Sequence, residues 1–121
     1  VAEVSVDLAC DCGGVRLHLA SIPNEATDCN CGICRRYGAL WAYAAPRDVA
    51  TTSAGTDVYL RGDRLIAFHR CRTCGCVTHW RAVDPDRDRM GVNMRLAPPD
   101  LVAALRIRRL DGADTWTFLD E

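Results

Sequence analysis

The chain has 121 residues, 49% of them apolar and 26% charged, with a formal net charge of -1. That length and composition fit one globular domain over residues 1–121, with a core modest enough for staples to help. The charge balance argues against a nucleic-acid partner, which needs a basic surface, and no apolar run is long enough to span a membrane.

Val4, Val6 and Leu8 alternate, as do Val15, Leu17 and Leu19, which predicts two strands. Between them CDCGG, residues 10–14, predicts a tight turn with Gly13 and Gly14 open to positive φ. SIPNEATD, 21–28, reads as loop. Cys31 to Tyr37 predicts a helical turn ended by Gly38. ALWAYAA, 39–45, predicts a buried strand stopped by Pro46, and residues 50–56 a polar turn. Strands follow at Val58 to Leu60 and Leu65 to His69, across the turn RGDR, then a CRTCG knuckle and a strand from Val77 to Val83. DPDRDR is an exposed loop, Met90 to Leu96 a strand, and DLVAALR a short helix opened by Pro98 and Pro99. The tail turns at Asp111-Gly112 and ends weakly strand-like. The expected class is mainly β.

The N-terminal VAEVSVDLAC has no basic start and alternates like a strand, so it does not read as a signal peptide. A cytoplasmic location is expected, where thiols stay reduced. All fifteen positive side chains are Arg and none is Lys, a bias best read as genomic composition.

Eight Cys in that setting point to metal ligands rather than disulfides. Cys10 and Cys12 form C-x-C on a hairpin tip, and Cys71 and Cys74 form C-x-x-C-G. Together they supply four thiolates from two knuckles, the way a closed structural zinc site is built. Gly13 and Gly75 follow the pairs and free the backbone to turn its amides toward the sulfurs. The alternative, four small buried hydrophobes, does not explain the paired spacing.

Cys29, Cys31 and Cys34 form C-x-C-x-x-C and leave three thiolates. Three protein ligands and one exchangeable position characterise catalytic zinc. The fourth ligand is then water or substrate, or else Cys76 or a His brought near by the fold.

The order CDCGG (10–14), CNCGICRRYGA (29–39), CRTCG (71–75), GVNMRL (91–96) and LDG (110–112) resembles the glutathione-dependent formaldehyde-activating enzyme family, which includes centromere protein V-like domains. The resemblance implies a β-tent, twisted antiparallel sheets held by zinc. It implies a structural zinc at Cys10, Cys12, Cys71 and Cys74, and a more labile one at Cys29, Cys31 and Cys34. It implies condensation of formaldehyde with glutathione, a carbon-sulfur lyase run in reverse.

Those residue types suit that chemistry. A metal-held thiol is deprotonated and positioned. Three thiolates on Zn²⁺ leave a net negative centre, which favours thiol binding over carbonyl activation. Arg35 and Arg36 could bind a carboxylate of a glutathione-like substrate; the alternative is a pairing with Asp28 and a solvated partner. His18 is expected at the surface, and His69 and His79 as surface or packed residues rather than ligands. Trp41 and Tyr43 divide between core and cavity wall; Trp80 and Trp116 are assigned to packing. Asn93 either orients a sulfur or substrate or satisfies buried backbone. DPDRDR carries no assigned function.

Two classes of function fit. One is an enzyme adding a small thiol to an aldehyde, or the reverse. The other is a non-catalytic protein-interaction module in which both zincs are structural. A nucleic-acid zinc ribbon conflicts with the charge balance, and a rubredoxin-like iron centre needs a second C-x-x-C pair. A homodimer through an exposed sheet edge is compatible with a near-neutral β domain.

Overall fold

A computed structural model describes residues 4–121; the first three residues of the strand-like N-terminal stretch lie outside it. Strands β1 (Val6–Ala9) and β2 (Val15–Leu19) form the expected hairpin, in which Leu8 faces Leu17 and Asp7 faces His18. Val15, Leu17 and Leu19 are buried while His18 stays exposed, held by Asp7 at 2.6 Å. Two-residue alternation puts one face of this hairpin in the core and the other in water. Strand β5 (Val49–Ser53) completes a three-stranded sheet in the order β1-β2-β5. Its sequence, VATTS, was expected to turn, but Thr51 and Thr52 pair with Leu17 and Arg16. Cross-strand pairing and β-branching override the polar composition there.

The second sheet has seven strands in the order β10-β3-β4-β9-β8-β7-β6. These are β3 (Glu25–Cys29), β4 (Trp41–Ala44), β6 (Thr56–Leu60), β7 (Ile66–Cys71), β8 (Val77–Ala82), β9 (Met90–Asn93) and β10 (Arg106–Leu110). Strand β3 corrects the loop expected at 21–28: Ala26 and Thr27 are buried between two neighbours. Among the described residues the strand pairings are antiparallel except that of β3 with β10, which run parallel. The strand expected over Met90 to Leu96 stops at Asn93 and continues as a 3-10 turn, because the Asn93 side chain accepts from the Arg95 amide. The short helices are α1 (Gly32–Tyr37) and α2 (Pro99–Ala104). Gly38 ends α1 at φ 65° and returns its N–H to Cys34 O, as its sequence predicted.

Leu8, Leu17, Leu19, Met90, Val92 and Met94 belong to the larger core cluster, which draws on both sheets; Leu101 and Val102 of α2 pack against it. A second cluster gathers the three triad cysteines with Trp41, Phe68 and Trp80. None of the helices is long and apolar enough to cross a membrane among the described residues.

Candidate metal centres and cavity

The β1–β2 turn carries Cys10 and Cys12, while Cys71 ends β7 and Cys74 sits in the turn that follows. Their four sulfurs lie within 4.8 Å of one another. Cys12 Sγ is 3.7 Å from Cys10 Sγ and 3.5 Å from Cys71 Sγ. A tetrahedron with Zn–S bonds of about 2.3 Å has edges of about 3.8 Å, so the spacing suits that ion. The backbone also treats these sulfurs as anions. The Val15 amide donates to Cys10 Sγ at 3.2 Å and the Gly14 amide to Cys12 Sγ at 3.4 Å. The Cys12 amide, then that of Cys76, holds the Cys74 thiol down at about 6. Gly13 and Gly75 take φ of 77° and 80°, which permits both turns. Cys76 packs at the edge of this cluster against Cys74, not against the triad.

The triad is placed differently. Cys29 ends β3, and Cys31 and Cys34 frame the start of α1, so one tight bend brings the three together. All three are buried, and their sulfurs also lie within 4.8 Å of one another. Each meets a donor. The Trp41 indole N–H donates to Cys34 Sγ at 3.3 Å, and Arg61 Nη1 reaches Cys31 Sγ at 3.5 Å. Cys29 is held at about 6 by the Cys34 thiol first, and by the Cys31 and Gly112 amides, against burial. Cys34 moves up, because it bonds to Cys29 and is buried. The cluster thus keeps negative charge among donors, which suits a soft divalent cation such as zinc. Among the described residues no His, Asp, Glu or further Cys joins the triad.

The triad forms part of the lining of a cavity of 580 Å³. Trp41, only 1% exposed, and Tyr43 follow each other on one face of β4 and both line it. Phe68 and Trp80 add aromatic wall from β7 and β8. Burial first raises the Tyr43 phenol, so it stays protonated at neutral pH. Arg35 and Arg36 are not among the lining residues; Arg36 Nη1 donates instead to Gly32 O at 2.8 Å. Neither pairs with Asp28 among the described residues. The arginines of the lining are Arg61, from the turn before β7, and Arg87, from DPDRDR. That loop also sets Arg89 over the Tyr43 ring at 4.0 Å, so it contributes to the site after all.

Trp116, assigned to packing, is 69% exposed at φ 59° and lines the cavity. Trp80 does pack, against Gly91, where any Cβ would strike its indole. His69 and His79 stack with ring centroids 4.4 Å apart and join neither cysteine group, with their Nδ1 atoms on Thr56 and Thr78. Asn93 satisfies backbone: it accepts from the Leu40 amide and donates to Val77 O at 2.7 Å. Gly112 closes over the triad so tightly that a Cβ would collide with Cys29 Sγ. The Asp111 carboxylate and the Ala113 amide tie that turn to Asn30, at 3.0 Å each. The LDG motif held the signal for this closure; nothing in RGDR or DPDRDR announced Arg61 or Arg87.

A family model described as glutathione-dependent formaldehyde-activating enzyme matches residues 5–99. The match covers both cysteine groups and stops short of β10 and Gly112. Among solved structures, the crystal structure of a Rhodobacter sphaeroides protein, a structural-genomics target, is similar at 28% identity and a TM-score of 0.69. The similarity covers 84% of this chain and 99% of that one. No curated protein matches the chain. With most of its length matched, including all seven cysteines of the two clusters, the chain belongs to the glutathione-dependent formaldehyde-activating enzyme family.

Proposed function

We propose that the chain adds a small thiol, glutathione-like, to an aldehyde such as formaldehyde, or runs the reverse reaction. The carrying observation is the three-sulfur cluster that opens on a cavity and finds no fourth protein ligand among the described residues. Addition forms one carbon–sulfur bond and moves the thiol proton to the aldehyde oxygen. Cys29, Cys31 and Cys34 would hold a zinc ion, which would supply the positive charge that lowers the pKa of a coordinating thiol. Cys10, Cys12, Cys71 and Cys74 would hold a second zinc in a structural role, since they supply four thiolates.

The chain's own groups do the rest. Trp41 and Gly112 donate to the ligand sulfurs and fix their orientation. Tyr43 presents a phenol that keeps its proton at neutral pH. Phe68 and Trp80 present apolar aromatic wall to the cavity. The open triad weighs against the interaction-module alternative, in which both centres would be closed.

The test is exchange NMR of formaldehyde with glutathione on protein whose zinc per chain has been counted. Exchange is expected to rise in proportion to protein. Cys31→Ser is expected to lose one zinc, keep the other and return exchange to the uncatalysed rate. Two zincs with no acceleration would sink the proposal and leave the fold intact.

A further inference from the structure

The cavity is large and mostly apolar, but its few polar groups are unevenly disposed. Ile33, Leu65, Ile66, Phe68, Trp80 and Trp116 line it. Two of its three indoles are occupied or walled in, since Trp41 Nε1 serves Cys34 and the Trp80 indole abuts Gly91, while Trp116 stands at the exposed rim. Two guanidinium groups, Arg61 and Arg87, also line it, and neither has a carboxylate within ion-pair distance among the described residues. Among the described residues Asp63 is the one acid in the lining, and its Oδ1 accepts from the Leu65 amide. Arg61 is held over the triad by contact with Cys31 Sγ, and a Cβ on Gly32 would sit 3.1 Å from its Nη2, so Gly32 leaves it room.

A thiol seated on the triad therefore meets apolar wall along its body and cation beside it. Glutathione also brings carboxylates for the two guanidinium groups, but its two amides and its ammonium meet mostly apolar wall, with Asp63 as the one acid among the described lining residues, and polar groups left short of partners weigh against binding. From this, and resting on the thiol-binding reading above, we infer that the preferred thiol is a mercaptocarboxylate with an apolar, aromatic-sized body. Its sulfur goes to the triad, its body lies between Phe68, Trp80 and Trp116, and its carboxylate bonds Arg61 and Arg87.

The probes are 2-sulfanyl-3-phenylpropanoate, its neutral counterpart 2-phenylethanethiol, and glutathione, titrated calorimetrically into the zinc-loaded full chain. The mercapto acid is expected to bind about tenfold or more tighter than either of the others. Arg61→Gln with Arg87→Gln is expected to erase its advantage over the neutral thiol, compared per zinc-loaded chain because Arg61 also touches Cys31 Sγ, and Arg87→Gln alone is expected to shrink that advantage at constant zinc per chain. On the unmodified protein, raising salt should shrink the same advantage, a readout that needs no variant. The inference is overturned if glutathione binds as tightly, or if the charged thiol keeps its lead in the double variant or at high salt. Exchange with formaldehyde, run on the same thiols, separates the two claims. Tight binding of the mercapto acid with no accelerated exchange leaves this inference standing and removes the proposed reaction. Accelerated exchange with glutathione bound most tightly does the opposite.

Discussion

Gly112 sets how closely the turn after β10 approaches the triad. Any side chain there meets Cys29 Sγ and the Cys31 Cβ. Gly112→Ala is expected to push the turn outward, withdraw its amide from Cys29 and cost about 1–3 kcal/mol of overpacking. Metal analysis should show zinc per chain falling by one, with the four-Cys centre retained; two retained zincs would contradict the assignment. His79 acts at the same scale but on stability. It is 2% exposed, and burial first, then His69 and Arg81, hold it at about 3, against 6.5 in the open. Its neutral burial contributes fully above pH 6.5, and that contribution is lost as pH falls toward 3 because the unfolded chain takes up the proton. His79→Phe should therefore lose less stability between pH 7 and pH 5 than the parent, by on the order of 1 kcal/mol in urea melts. Equal slopes for both proteins would show that His79 does not set this pH dependence.

Strand β10 and the turn after it form an element that the family match does not reach, yet it completes the cavity. Its five residues pair in parallel with β3, register by register, up to Leu110 against Cys29. Leu119 N returns to Arg109 O, and Arg108 and Arg109 pair with Glu121 and Asp120. A chain shortened to residues 1–104 loses this brace, and it is expected to bind one zinc instead of two and to melt earlier. Retention of both zincs would show that β10 is dispensable to the triad. The sequence made the β1–β2 hairpin, α1 and both knuckles legible, because alternation, a Gly stop and cysteine spacing are local signals. It hid β3 and β5, since EATDC and VATTS owe their extended form to partners elsewhere in the chain. The triad was legible for the same local reason, whereas Arg61, Arg87 and Trp116 reach the cavity only through tertiary placement.

Across the whole molecule, the four-Cys cluster is placed to act as a staple once it holds zinc. One of its knuckles belongs to the three-stranded sheet and the other to the seven-stranded sheet. Zinc binding there counts as folding free energy, because the unfolded chain has no preformed site. Chelator challenge followed by native mass spectrometry and circular dichroism should resolve two steps. The first ion to leave comes from the open three-ligand triad with the strands intact; the second leaves together with the sheet signal. Simultaneous loss would mean that the triad also holds the sheets. The parallel pairing of β3 with β10 adds an order in time. On the ribosome, every ligand of the stapling centre has been made once Cys74 is joined, so that centre can load while the rest is still being translated. The triad has its three sulfurs by Cys34 but gains its closing strand and Gly112 amide only some eighty residues later. On the proposed function, the thiol-binding pocket is thus completed only after the stapling ligands exist, and an unfinished chain presents nascent thiols without a finished site.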